Sequence, residues 1–460
     1  MSDTQWWREA TFYHIYPLGY CDAPLVNDGT SDPVARLRAI TEDLGRIRSL
    51  GFTAIYLGPL FESGSHGYDT WDYRKVDRRL GTDSDLANLV NTAHSLGIRV
   101  VVDGVYNHVG RGFSAFQHLR NEGPTSEYRA WFREIDFEAD NRFGDGFSYR
   151  CWEGYNELVE LNHDEPAVRE YLIGSAELAV KRFGVDGIRL DVAYCLPFSF
   201  LDELSRRLTA IRDDFWLMGE VIHGDYASFL EPDRIHSITN YECYKGIWSS
   251  FNDRNFHEIA YSLDRLFGEA GLLRAALSEG RLPYNFADNH DVSRLASILE
   301  EREHIWPLYG LLWTMPGIPS VYYGSEYGIE ATKDDGDAGL RPPWHSVGPA
   351  RSAHGVTPRD ERLARFIIEL NRVRSASAAL RTGGYRQLAV GPSHLAFARN
   401  TEGEVVVVAI NADPEPAAIT VPAAFCGRYD CLFSGETLAV DATDPCVEVP
   451  AHGVRILRAA

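Results

Sequence analysis

Gly187-Ile188-Arg189-Leu190-Asp191-Val192-Ala193 is an apolar run carrying one cation and one carboxylate two residues apart. Such a run fits a strand buried on both faces whose C-terminal end opens on a cleft, with Arg189 and Asp191 on the same side. Working outward, seven more β-rich runs resemble it: Phe12–Tyr20, Thr53–Pro59, Arg99–His108, Phe215–Val221, Ser237–Cys243, Tyr284–Asn289 and Ser320–Glu326. Between them lie helical patterns such as Val34–Leu50, Asp83–Leu96, Pro166–Phe183, Phe198–Arg212, His304–Met315 and Arg362–Arg374. Strands alternating with helices predict a parallel sheet covered on its outer face. Eight units predict an α/β fold closed into a (β/α)8 TIM barrel.

The alternation fails twice. From His108 to Gly187 the chain is long and rich in Gly, aromatic and acidic residues, so residues 109–164 read as a small domain inserted after strand three. The barrel then takes residues 1–108 and 165–376. Beyond Ala376, Leu388–Ala398, Val405–Ile410, Ala418–Val421 and Val454–Ala459 read as short strands divided by turn residues. They predict a C-terminal antiparallel β-sandwich domain over 377–460.

The formal charge of −21 on 460 residues opposes binding to nucleic acid or to an anionic membrane. A neutral small molecule suits it better. No run approaches the length of a membrane span, and the first residues lack a basic segment followed by an apolar one, so a cytoplasmic address is expected. Seven cysteines, an odd number without Cys-x-x-Cys spacing, predict reduced thiols rather than a disulfide framework or a zinc site.

On such barrels chemistry collects at the C-terminal strand ends. Strand three ends Asp103-Gly-Val-Tyr-Asn107-His108, strand four ends Asp191, strand five Gly219-Glu220, and strand seven Asp288-Asn289-His290-Asp291. Neighbouring strands lie about 5 Å apart, so Asp191 and Glu220 can approach the roughly 5–5.5 Å used by retaining glycosidases. Arg189 is expected to keep Asp191 ionised as nucleophile. Glu220, with no cation adjacent in sequence, is expected to stay protonated as general acid/base. Asp291 is expected to bind sugar hydroxyls and favour a cation-like sugar, and Asp103 to orient Arg189. His108 and His290 are expected to contact sugar hydroxyls.

Four segments carry a resemblance: Asp103-Gly-Val-Tyr-Asn-His108, Gly187-Ile-Arg-Leu-Asp-Val-Ala193, Gly219-Glu-Val-Ile-His223 and Phe286-Ala-Asp-Asn-His-Asp291. In this order they resemble the signature regions of the α-amylase superfamily, from about Tyr13 to Arg374. The resemblance implies Asp191 as nucleophile, Glu220 as acid/base and Asp291 as transition-state stabiliser. It also implies Tyr68, in His66-Gly-Tyr68-Asp69-Thr-Trp-Asp-Tyr73, as the aromatic platform under the sugar, and Arg341 as a contact to a second glucose unit.

Phe113-Ser-Ala-Phe-Gln, the run Tyr155–Asn162 and Gly-Glu-x-x-His look most similar to the neopullulanase, cyclomaltodextrinase and maltogenic amylase group. Those proteins usually carry an extra N-terminal β-domain, whereas strand one here begins within about a dozen residues of the first. The implied activity is hydrolysis of α-1,4-linked maltooligosaccharides or cyclodextrins, with some α-1,6 cleavage and no required cofactor. The resemblance also raises a structural Ca²⁺ held by Asn107 with Asp136, Asp140 or Asp145. The competing readings are an α-glucanotransferase, a non-catalytic glucan-binding homologue and a metal-dependent barrel hydrolase; the oligomeric state is left open.

Overall fold

A computed structural model describes residues 5–347 and 360–460. Eight parallel strands form the central sheet: β1 (Phe12–Ile15), β2 (Ala54–Leu57), β3 (Arg99–Gly104), β4 (Gly187–Leu190), β5 (Trp216–Gly219), β6 (Ser237–Ile238), β7 (Tyr284–Asn285) and β8 (Ile318–Tyr322). Their order is β6-β5-β4-β3-β2-β1-β8-β7. A parallel bridge between Thr239 and Tyr284 joins the two edge strands and closes the barrel. β1, β2, β4 and β5 are buried at every position, as strands covered by helices outside and side chains inside must be.

Local chemistry trims the expected strands. β1 stops at Ile15 because Pro17 opens a helical turn. β6 stops at Ile238 because Asn240 caps the helix Tyr241–Asn252, its side chain accepting from the Cys243 amide at 3.2 Å. β3 stops at Gly104, and His108 belongs to a further strand, His108–Gly110, paired antiparallel with Leu158–Glu160. The chain between them forms an excursion over the C-terminal ends of the barrel strands. The helix Pro166–Phe183 then resumes the barrel, with Pro at its first turn and left-handed Gly184 at its end.

A six-stranded antiparallel sheet follows, containing β9 (Gly384–Val390), β10 (His394–Asn400), β11 (Val405–Asn411), β12 (Gly427–Cys431), β13 (Thr437–Val440) and β14 (Gly453–Ala459). Its order is β9-β10-β11-β14-β12-β13. The run Leu388–Ala398, expected as one strand, is a hairpin instead, turning at Gly391-Pro392-Ser393. Ala417–Thr420 pairs with Cys446–Val449 in a separate two-stranded sheet.

Candidate active site

The cleft above the barrel, about 540 Å³, is lined by Asp191, Glu220 and Asp291 together with Tyr68, His108 and Arg341. Arg189 lies at its floor and joins three carboxylates. Nη1 is 3.0 Å from both oxygens of Asp103 and 2.8 Å from Asp191 Oδ1, and Nη2 is 3.0 Å from Glu220 Oε1. This corrects the charge argument made from sequence. Glu220 has no cation beside it in the chain, but β4 and β5 run in register, so the guanidinium serves both carboxylates.

Burial pushes the Asp191 carboxyl well up; Arg189 opposes that, and the charges of Glu220, Asp103 and Asp291 reinforce it. Arg189 therefore does not by itself separate an ionised nucleophile from a protonated acid.

Asp103 also accepts from the Tyr56 and Tyr68 hydroxyls at 2.8 and 3.2 Å. It is buried beneath the cleft and touches Arg189, the position expected of an orienting residue. Asp291 is held from both sides, by Arg341 Nη2 at 3.0 Å and His290 Nε2 at 3.0 Å. Burial works to raise its carboxyl, but His290, Arg341 and Arg189 outweigh burial and hold it far below the usual carboxylate range. Arg341 also pairs with Asp337 at 2.9 Å.

Tyr68 and His290 stack nearly parallel, with ring centroids 5.6 Å apart, and the tyrosine hydroxyl bonds His290 Nε2. His108 Nε2 has no partner in the protein and lies 4.0 Å from Asp191 Oδ2. Burial, then the His66 charge, lowers its pKa to about 3, so the ring is a neutral hydrogen-bonding group at ordinary pH.

Sequence reasoning missed Val192, which follows Asp191 with φ +40°. A β-branched residue rarely takes that conformation. Here it turns the Val192 amide toward Glu220 Oε2, which accepts its hydrogen bond at 3.0 Å. Also missed were Trp152 and Tyr155 from the excursion, stacked at 6.0 Å, and the Tyr194–His223 pair at 5.0 Å; all but His223 line the cleft. Trp152 and Tyr155, two aromatic residues close together among Gly and acidic residues, were the available signal.

Residues 15–360 match the alpha amylase catalytic domain. The chain belongs to the α-amylase family. It is a glycoside hydrolase, 30% identical over 432 residues to a cyclomaltodextrinase from a Bacillus species, covering 89% of this chain and 73% of that one. Neopullulanase 2 of Thermoactinomyces vulgaris is 29% identical over 453 residues, covering 94% and 74%. The cyclic α-maltosyl-(1→6)-maltose hydrolase of Arthrobacter globiformis superposes with a TM-score of 0.81 at 26% identity, covering 99% of this chain and all of that one.

Of the residues considered for calcium in this α-amylase-family chain, Asp145 does not fit that ion. Asp145 is gripped by Arg111 Nη1 and Nη2 at 2.7 and 2.9 Å and by Arg120 Nε at 2.9 Å. A cation would have to displace two guanidinium groups. Asp136 and Asp140 spend carboxylate oxygens on neighbouring backbone amides, and the Asn107 amide faces His108 Nδ1 at 3.3 Å. Among the described residues, the one cluster of three His, Cys, Asp or Glu side chains close enough to share an ion is Glu301, His304 and His452. It lies where the barrel meets the C-terminal sheet.

Proposed function

We propose that this hydrolase cleaves α-1,4-glucosidic links in maltooligosaccharides and cyclodextrins, with some α-1,6 cleavage, by a retaining double displacement. The observation that carries the mechanism is the guanidinium of Arg189 holding Asp191 and Glu220 on its two nitrogens. Carboxylates joined through one guanidinium support the short separation of a retaining pair.

Asp191 attacks the anomeric carbon while Glu220 gives its proton to the departing glucosidic oxygen. The C–O bond breaks and a glycosyl ester forms on Asp191. Glu220, now ionised, takes a proton from an incoming water, whose oxygen displaces the ester and restores the α configuration. Asp291, kept anionic by His290 and Arg341, holds the sugar hydroxyls and favours the cation-like transition state. Tyr68 supplies an apolar face for the ring. The steps use carboxylates alone, so no cofactor is required.

The names of the relatives support cyclic and short α-glucans as substrates, and that of the Arthrobacter enzyme supports α-1,6 cleavage. A charge of −21 favours a neutral ligand over a polyanion. No helix among the described residues is long and apolar enough to cross a membrane, in keeping with action on imported dextrins in the cytoplasm.

Azide rescue tests the roles. With an activated α-maltoside, Asp191→Ala plus azide should give the β-glycosyl azide, and Glu220→Ala plus azide the α-glycosyl azide. The opposite pairing would overturn the assignment. In the same assay with wild-type enzyme and maltotriose, early products longer than the substrate would make the protein a transferase.

A further inference from the structure

We propose that Arg294, a buried cation outside the catalytic cleft, is a positioning residue that sets Arg341 against Asp291 by pinning the backbone on either side of Arg341. The inference rests on the reading that Asp291 and Arg341 handle the sugar. It adds a residue that touches neither the sugar nor the catalytic carboxylates.

Arg341 reaches the cleft from the loop after β8 and spends its guanidinium on three groups. Nη2 is 3.0 Å from Asp291 Oδ1, Nε donates to the His290 carbonyl at 3.1 Å, and Nη1 is 2.9 Å from Asp337. A long side chain on a loop keeps such a geometry only if its backbone is fixed. Regular structure does not fix it, because the helical turn Gly336–Leu340 ends at the preceding residue and Pro342 and Pro343 follow. Prolines have no backbone N–H to donate. The loop is therefore fixed through its carbonyls.

Three donors meet those carbonyls. Arg294 Nη2 and the Tyr322 hydroxyl donate to Leu340 O at 2.9 and 3.2 Å, and the Tyr323 hydroxyl donates to Pro342 O at 2.7 Å. Arg294 also organises the two tyrosines: Nη1 donates to Tyr323 O at 2.8 Å and to Ser325 Oγ at 3.0 Å, and its guanidinium carbon lies 3.9 and 5.3 Å from the centroids of the Tyr322 and Tyr323 rings. Ser325 in turn donates to Asp288 at 2.7 Å. Arg294 stands three residues after Asp291, so one short segment carries both the carboxylate and the anchor of the arginine that holds it.

Burial argues for a role beyond packing. Arg294 is fully buried, its Nε has no partner, and neither it nor Tyr322 nor Tyr323 lines the cleft. Burying a guanidinium in this way costs stability that a well-packed apolar side chain of similar volume would not. What the cation supplies in return is a fixed peptide next to Arg341, at a site where small displacements of reacting groups are costly.

Hydrolysis of maltotriose and hydrogen exchange of the full chain test this. Arg294→Met should lower kcat/KM by about tenfold or more, because misplacements of about 1 Å cost up to about 100-fold. Tyr323→Phe, a milder change that removes one hydroxyl, should act in the same direction. In an Arg341→Met background each substitution should change kcat/KM by less than about twofold, because the residue they position is gone. Exchange at the amides of Leu340 and Arg341 should rise in Arg294→Met. Losses of the same size with and without Arg341 would show an effect on the fold at large and overturn the proposal, as would wild-type kcat/KM in both single variants or unchanged exchange. Wild-type protein that leaves maltotriose intact would overturn the substrate reading instead, and the exchange measurement would still decide the pinning.

Discussion

Arg189 is one cation answering three carboxylates, and the cleft is left short of positive charge even with Arg341 beside Asp291. That deficit suits a transition state with developing positive charge on the sugar. It also destabilises the empty site. The folded pKa of Asp191 lies above its unfolded value, because burial and neighbouring carboxylates outweigh Arg189. Such a group contributes stability at low pH that is lost as pH rises through the folded pKa. Asp191→Asn removes that loss, so the variant should melt above wild type at pH 7–8, by on the order of 1 kcal/mol for each pKa unit of displacement. The gain should shrink toward about pH 4, near the unfolded value. Melting curves that coincide from pH 4 to 8 would refute this. Arg189→Lys keeps the charge but loses the planar fork. Since small misplacements of reacting groups cost about 100-fold, kcat should fall by roughly that factor while binding of maltotriose to the variant changes little.

Among the elements, the excursion after β3 depends on a side chain rather than on regular structure. Arg111 grips Asp145, donates to the Tyr149 hydroxyl at 2.7 Å, and lies 3.8 Å from the centroid of the Phe143 ring. Burial would raise the Asp145 carboxyl, but bonds from Arg111, Asn141 and Arg120 hold it at about 2. Removing Arg111 leaves Asp145 to Arg120 and Asn141 alone and forfeits charge-assisted hydrogen bonds, at roughly 1–3 kcal/mol. Arg111→Ala should therefore raise hydrogen exchange across 109–164 and, because Trp152 and Tyr155 line the cleft, raise KM. Exhaustive chelation of the wild-type enzyme should leave Tm and activity unchanged; a fall restored by Ca²⁺ alone would show that an ion, not Arg111, braces the excursion.

For the whole molecule, the barrel and the C-terminal sheet are joined through buried polar groups as well as apolar ones. The helix Ile305–Thr314 ends in backbone carbonyls that need donors. Arg374 Nη1 donates to Trp313 O at 2.9 Å, and Arg399, from β10, donates to the Thr314, Gly383 and Gly384 carbonyls at 2.6, 2.7 and 3.1 Å. Both arginines are fully buried. Arg399→Met keeps the volume but strands three carbonyls, each costing about 1–3 kcal/mol. The loss should total several kcal/mol and appear as one cooperative melt of the whole chain. Separate melts of barrel and sheet would show that the two units are not so coupled. Glu301 adds a polar link at the same seam, 3.3 Å from His304 Nε2 and 3.2 Å from His452 Nε2.

Strand type, helix alternation and the carboxylates ending β4, β5 and the β7 loop were legible in the sequence because they follow from local periodicity and spacing along one segment. Asp191 and Arg189 share a strand face whatever surrounds them. Turn chemistry set finer boundaries, and Pro17, Asn240 and Gly391 moved strand ends that apolar content alone had run too far. The sharing of Arg189 with Glu220, the bracing of Asp145 by Arg111, and the capping of the Thr314 carbonyl by Arg399 depend on contacts between residues far apart in the chain. Electrostatics and burial are properties of the space around a group, so only the tertiary structure could decide them.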